Sequence, residues 1–231
     1  MLTPAFDEIG EWARASGLAV RGGFHPEAED GVPALSDGSP AGSLVMLGFA
    51  GNQQWKTFAA SPEARDGKPD PLDRWSRRII DALAARTGGM ALYPFAELKP
   101  RLPFLNWAER AEGLHRSPIG LLIHPDWGLW HAYRGALALH PRLQLPSINP
   151  RRSPCDSCQD KPCLSACPVD ALVPGQYDAV VCLGHIGTVA GEECMQLNCR
   201  ARRVCPVGAA YHYGSQQATF HMSAYLKARE Q

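Results

Sequence analysis

The sequence predicts an α+β protein in two parts, on three observations. Helical and strand patterns alternate through the first 145 residues. A proline-rich stretch, Leu145–Pro154, interrupts the pattern. All eight cysteines then fall between Cys155 and Cys205, in a loop-rich remainder. The expected division is residues 1–145 as an α/β or α+β layer around a mixed sheet, and residues 146–231 as a small module whose order depends on its thiols.

The elements follow in order. Residues 3–16 read as a helix, with Thr3 as N-cap, Pro4 in the first turn, Gly17 at the end and Phe6, Ile9 and Trp12 on one stripe. Leu18–Phe24 and Ser43–Ala50 read as strands, separated by a Gly-, Pro- and Asp-rich loop. Asn52–Arg65 fits neither period. Residues 70–87 carry the strongest helical signal: Asp70 before Pro71, then Leu72, Trp75, Ile79 and Leu83 on one face, then Gly88. Met90–Tyr93 is a short strand and Trp107–Glu112 helical. Pro118–Ile123 and Trp130–Leu139 read as a hairpin around His124-Pro125-Asp126-Trp127-Gly128. Helical spacing returns weakly in Ser215–Gln231.

Charge excludes some functions. Lysine plus arginine and aspartate plus glutamate both total 23, and the isoelectric point is near 7.1. No basic excess points to nucleic acid or an anionic membrane. The arginines among the cysteines are matched by as many acids. The N-terminus lacks the basic and apolar regions of a signal peptide, and no run approaches a membrane span. The expectation is a cytoplasmic protein with reduced thiols and no nucleic-acid partner.

The cysteines carry the chemistry. Cys155, Cys158, Cys163 and Cys167 form C-x2-C-x4-C-x3-C-P; Cys194, Cys199 and Cys205 form C-x4-C-x5-C-P, with Cys182 between. A [4Fe–4S] cluster takes four thiolates, and in two-cluster ferredoxins the cysteine before proline serves the other cluster. Proline fixes φ and lacks an N–H, so the chain turns there. That logic assigns Cys155, Cys158, Cys163 and Cys205 to one cluster and Cys167, Cys182, Cys194 and Cys199 to a second. The spacing departs from the bacterial C-x2-C-x2-C-x3-C-P run by two residues in the second gap, and the second group is looser still. Zinc and disulfides are the competing readings. Only one C-x2-C pair is present for zinc, and disulfides require an oxidising compartment.

Residues 104–139, FLNWAERAEGLHRSPIGLLIHPDWGLWHAYRGALAL, resemble two related groups. One is the epoxyqueuosine reductases, which have an A-E-R-A segment, a hairpin and a two-cluster ferredoxin module. The other is the cobalamin-processing proteins of the decyanase/dealkylase type, with an I-H-P-x-x-G-x-W-x-x-x-R-G hairpin. Its counterparts here are Ile123, His124, Pro125, Gly128, Trp130, Arg134 and Gly135, and the helix start Asp70-Pro71-Leu72-Asp73 also resembles that group. Reductive dehalogenases share the plan. The resemblance implies a nitroreductase-like α/β N-terminal domain that holds a corrinoid along residues 90–140, with His124, Trp127, Trp130 and Arg134 as cofactor-contacting candidates. A reduced corrinoid cobalt is a strong nucleophile, so a cofactor would carry the hard chemistry. Each candidate also has a structural reading: a turn hydrogen bond for His124, packing anchors for the tryptophans, an outward strand arginine for Arg134. The strand that bears the catalytic aspartate in the tRNA-modifying group reads Met90-Ala91-Leu92-Tyr93-Pro94-Phe95 here, without a carboxylate. Tyr93 is a candidate proton donor or a core residue.

The reading is an iron–sulfur oxidoreductase that receives electrons from a redox partner protein or small donor and passes them through two [4Fe–4S] clusters to cobalamin or a similar cofactor. The alternatives are an electron carrier for a protein partner with no corrinoid, a flavin in the N-terminal domain, and a tRNA epoxyqueuosine reductase-like enzyme.

Overall fold

The computed structural model describes residues 4–148 and 151–230. In chain order the elements are α1 (Phe6–Ala15), β1 (Ala19–Phe24), β2 (Ser43–Ala50), α2 (Trp55–Ala59), α3 (Pro71–Thr87), β3 (Met90–Leu92), α4 (Phe104–Glu112), β4 (His115–Arg116), β5 (Leu122–Ile123) and β6 (His131–Leu139). They continue with β7 (Leu172–Val173), β8 (Gln176–Tyr177), α5 (Ala179–Ile186), α6 (Glu192–Leu197), α7 (Arg200–Arg203) and α8 (Ser215–Glu230).

The chain divides into two compact units. One is Met1–Leu114 with Ala132–Pro150; the other is His115–His131 with Arg151–Gln231. The sequence places a single boundary at 145/146. In the structure the segment His115–His131 leaves the first unit and joins the cysteine-bearing one.

The first unit is built on a four-stranded sheet in the order β1-β2-β6-β3. β1 pairs antiparallel with β2 and β3 with β6, the former through an irregularity between Val20 and Gly23. Every residue of β2 is buried, as its unbroken apolar run requires of a central strand. The helical stripe of α3 faces this core: Leu72, Trp75, Ile79 and Leu83 are all buried, each contributing about 1.5–3 kcal/mol by leaving water. Trp75 meets Phe49 of β2 at 5.9 Å and Phe58 of α2 at 5.6 Å between ring centres. α2 thus resolves the segment 52–65, where a five-residue helix is too short to show a period. α3 begins at Pro71 after Asp70, whose φ of 50° is left-handed and whose side chain makes no cap bond; it ends at Gly88. α1 buries Ile9 and Ala13, while Trp12 lies under the Arg86 guanidinium at 3.7 Å. Its expected cap, Thr3, lies outside the described residues. The Ala5 N–H instead donates to Glu8 at 2.7 Å.

α4 is held by a buried polar knot. Arg21 of β1 is fully buried; its Nε and Nη2 donate to both oxygens of Glu112 at 3.0 and 2.8 Å, and Nη1 donates to the Phe49 carbonyl. The Tyr133 hydroxyl donates to Glu112, and its ring lies 4.8 Å from the Arg21 guanidinium. Burial pushes the Tyr133 phenol well above its usual range. At the other face of α4 the Trp107 indole donates to the Asp30 carbonyl at 2.7 Å, and Arg110 pairs with the Asp30 carboxylate.

The expected hairpin between Pro118–Ile123 and Trp130–Leu139 does not form as drawn. β5 pairs with β4, while β6 enters the four-stranded sheet. The turn closes on itself through reciprocal backbone bonds between His124 and Gly128, 2.8 and 2.9 Å. Once those two residues satisfy each other, the flanking chain is free to diverge. Among the described residues no helix is long and apolar enough to cross a membrane.

Replacing Glu112 with alanine leaves the Arg21 charge buried without its carboxylate. Stability in urea denaturation is expected to fall by about 3–5 kcal/mol, with the α4–β1 region unprotected first in hydrogen exchange.

Candidate functional site

In the second unit, short turns bring each cysteine to its place. Cys155 lies in a 3-10 turn, Pro154–Asp156, whose cap Ser153 accepts from the Cys155 N–H. Cys163 lies in another, Pro162–Leu164, entered through Lys161 in a left-handed conformation (φ 39°). The longer second gap of the motif therefore forms a separate turn. α5 carries Cys182 and is capped by Asp178, which accepts from the Val181 N–H at 3.0 Å. α6 carries Cys194. Asn198 follows it with φ 74° and accepts from the Cys199 N–H at 2.8 Å.

Two cavities result. One is lined by Cys155, Cys158, Cys163 and Cys205, with Pro118, Ile123 and Leu129 beside them. The other, of about 480 Å³, is lined by Cys167, Cys182, Cys194 and Cys199. Cys167 lines the cavity of the later cysteines, and Cys205 that of the earlier ones. Cys205 lies close enough to Cys163, Cys155 and Cys158 for their charges to interact, and Cys199 to Cys194 and Cys182. Burial pushes the thiols of Cys155, Cys163, Cys194, Cys199 and Cys205 upward. The Ala171 backbone N–H donates to Cys167 Sγ at 3.3 Å. Among the described residues no such side chains close on a point as the ligands of one ion do. Each set lines one cavity.

The turn His124–Gly128 packs against this module. Ile119, Ile123 and Leu129 share a core with Cys163, Leu172, Ala201 and Cys205. Gly128 has φ +56°, and a Cβ on it would stand 1.9 Å from the Val207 carbonyl oxygen; one on Gly208 would stand 2.3 Å from the Trp127 carbonyl. Only glycine lets these two backbones approach so closely. The glycine of the hairpin motif therefore has a packing role next to the Cys205 loop.

The structure places the other candidates as follows. His124 stacks on Trp127 at 3.8 Å and 17°. Its Nδ1 accepts from the Asp126 and Trp127 N–H groups at 3.0 and 3.2 Å. Trp130 is fully buried, 4.4 Å from the Arg202 guanidinium and edge-on to Tyr213 at 5.0 Å. Arg202 also donates to the Leu129 carbonyl, at 2.9 Å from Nε and 2.6 Å from Nη2. Arg134, in the first unit, does not face outward: it pairs with Asp73, donates to Ser76 Oγ at 2.9 Å, and burial lowers its basicity. Tyr93 is buried and donates to Asp81 at 2.5 Å. A carboxylate thus reaches the 90–95 strand from α3, which strand-by-strand reading cannot show. Sequence reading also passed over Tyr177 and Tyr225, whose hydroxyls meet beside Cys182. Both look like ordinary surface aromatics until α8 is folded back.

No model of a known protein family matches the chain. Over 72 residues it is 40% identical to the methylamine utilization ferredoxin-type protein MauM of Paracoccus denitrificans, a match covering 28% of this chain and 31% of that protein. Among solved structures, epoxyqueuosine reductase from Bacillus subtilis, with its catalytic loop swung out of the active site, superposes with a TM-score of 0.52 at 18% identity, covering 90% of this chain and 66% of that one. The fold is that of epoxyqueuosine reductase. An epoxyqueuosine reductase solved with a modified tRNA-Tyr stem loop is a further neighbour, with TM-score 0.49, 19% identity and coverage of 92% and 68%. The chain spans about two thirds of these reductases and about a third of the ferredoxin-type relative. The epoxyqueuosine reductase fold agrees with the α+β class read from sequence, and the ferredoxin-type match supports the iron–sulfur character of the cysteine module.

Gly128→Ala and Gly208→Ala are each expected to displace the Cys205 loop. Iron bound after anaerobic reconstitution is expected to fall below that of the unaltered chain, because the cavity lined by Cys205 is disturbed. Gly214→Ala, where a Cβ meets nothing within 4 Å, should leave iron content unchanged.

Proposed function

We propose that this protein is an iron–sulfur oxidoreductase that carries electrons through two [4Fe–4S] clusters to a redox cofactor of the corrinoid type in its first unit. The carrying observation is the sorting of the eight cysteines into two cavities, four to each, with Cys167 and Cys205 exchanged between the two sequence runs. Cys155, Cys158, Cys163 and Cys205 would hold one cluster; Cys167, Cys182, Cys194 and Cys199 the other. Each cluster supplies one-electron transfer when bound. The chain's own part is to hold the thiols apart at fixed positions, to exclude water from the sulfurs, and to aim N–H groups at them. The buried thiols must lose protons as metal enters, so loading releases acid.

The corrinoid is inferred from the hairpin motif and the epoxyqueuosine reductase fold. Of the four side chains proposed for it, Trp130 and Arg134 are occupied by Arg202 and Asp73, whereas His124 and Trp127 remain partly accessible. That occupancy favours a second reading, an electron carrier for a protein partner without a corrinoid. A tRNA epoxyqueuosine reductase-like activity is the third.

Anaerobic reconstitution followed by iron and sulfide counting is expected to give about eight irons per chain, with two interacting spins in electron paramagnetic resonance after reduction. Cobalamin added to this protein should show an altered visible spectrum and reduction of cobalt. Normal cluster content with unchanged cobalamin spectra would transfer the assignment to the electron-carrier reading; binding of an epoxyqueuosine-bearing tRNA stem loop would transfer it to the third. Zinc in place of iron would remove all three.

A further inference from the structure

The stretch that carries Cys182 keeps apolar side chains in water. Val173 and Tyr177 of the β7–β8 hairpin, Val180 and Val181 of α5, and Val189 of the following 3-10 turn are all exposed, Val180 at 79% and Val189 at 89%. Valine is a poor helix former, so local folding does not account for the two on the open side of α5. Single exposed apolar residues are ordinary, but such a group within one stretch of chain marks a surface that another molecule covers. Tyr177 also lines the 480 Å³ cavity of the second cysteine set. The exposed face therefore borders the place where an electron would enter or leave.

Charge gives this face a sign. From Asp170 to Glu193 the sequence holds Asp170, Asp178, Glu192 and Glu193 and no lysine or arginine, in a chain with no net charge. All four acids are exposed. Asp178 caps α5, Glu192 accepts from Gln196 at 2.6 Å, and Glu193 pairs with Arg203 of α7. Of the neighbouring arginines, Arg202 is turned onto the Leu129 carbonyl and Tyr213, and Arg200 lines the cavity itself. A loaded cluster adds to the negative field, because four thiolates outweigh its positive core.

Size and sign together select the occupant. Five exposed side chains fall well short of the roughly 20–30 residues a side of a stable interface, and brief redox encounters occupy the low end of the range. A second copy fits badly, since a two-fold contact would set this patch against itself, acid facing acid. We propose that the face formed by Val173, Tyr177, Val180, Val181 and Val189 is the docking site of a redox partner protein whose electron-transfer group opens on an apolar surface collared by lysine or arginine. The partner loses one electron, the cluster of the second set gains it, and no bond is made or broken. This rests on the two-cluster reading above.

The test uses the full chain, reconstituted anaerobically, assayed for iron, reduced with dithionite and freed of excess reductant. It runs the electron outward across the same face. The probe is ferric cytochrome c, a basic protein with an exposed haem edge; each haem takes one electron from a reduced cluster, followed by absorbance. Cytochrome c with succinylated lysines presents the same haem with the collar's charge reversed. At low salt the native probe is expected to react at least roughly tenfold faster than the succinylated one, and added salt should slow the first and speed the second. Val180→Lys and Val189→Lys should each slow the native probe by about threefold to tenfold, with iron content and reduction by dithionite unchanged. Ala82→Lys, on the exposed side of α3 in the first unit, adds the same charge elsewhere and should leave the rate unchanged.

Full iron content with equal rates for the two cytochromes, or with Val180→Lys and Val189→Lys no slower than Ala82→Lys, overturns the docking site and leaves the clusters standing. Sedimentation of the unaltered chain as a dimer that Val180→Lys dissociates gives the face to a second copy and also overturns it. A chain that takes up no iron overturns the two-cluster reading and this proposal with it. Should Val180→Lys lose iron, Val189→Lys, which lies outside α5, decides alone.

Discussion

The crossing of two cysteines between thiol sets is the constraint on which the second unit depends. Cys167 leaves the first run for the second cavity, and Cys205 returns from the second run to the first. Each is followed by proline, which ends local pairing and redirects the chain. A unit of short turns and helices of four to eight residues in α5–α7 has little regular hydrogen bonding to define its shape. Its apolar clusters contain the cysteines themselves: Cys163 and Cys205 lie in one, Cys194 and Cys182 in another. The core and the candidate ligands therefore share residues. Any change that moves a thiol moves the packing, and any change in packing moves a thiol.

The His115–His131 segment fits this view. It is an insertion, in sequence, between two strands of the first unit's sheet, yet its apolar residues pack on the cysteine module and its turn requires glycine on both sides of the contact. Residues of the hairpin motif that suggest a cofactor wall have visible structural partners: His124 caps its own turn, Gly128 admits Val207, and Trp130 lies under Arg202. Contact with a corrinoid is not needed to account for those three residues.

Much of the first unit was legible because single-element periodicity decides it. β2 appears as Ser43–Ala50 because a fully buried central strand is apolar at every position, and α3 as 71–87 because one face and both ends are marked. That Cys167 and Cys205 line cavities away from their own runs was legible for a different reason: a proline after each cysteine turns the chain. The hairpin was misread because turn chemistry between two apolar runs states only that the chain reverses. It cannot state which partner each flank will find, and here β5 pairs with β4 while β6 pairs elsewhere. The Arg21–Glu112–Tyr133 knot was illegible because its members stand far apart in sequence and each alone is an ordinary surface residue type.

The same limit explains why Tyr177 and Tyr225 escaped notice, and it points to a general asymmetry in such modules. Ligands to a metal centre are recognisable from spacing because one residue type must do the work. Groups that adjust the centre are not, since a hydrogen bond to sulfur can come from any N–H or O–H that the fold delivers. In this chain one such donor is the Ala171 N–H, which reaches Cys167 Sγ at 3.3 Å from the turn after Cys167, where an N–H lacks a helical partner.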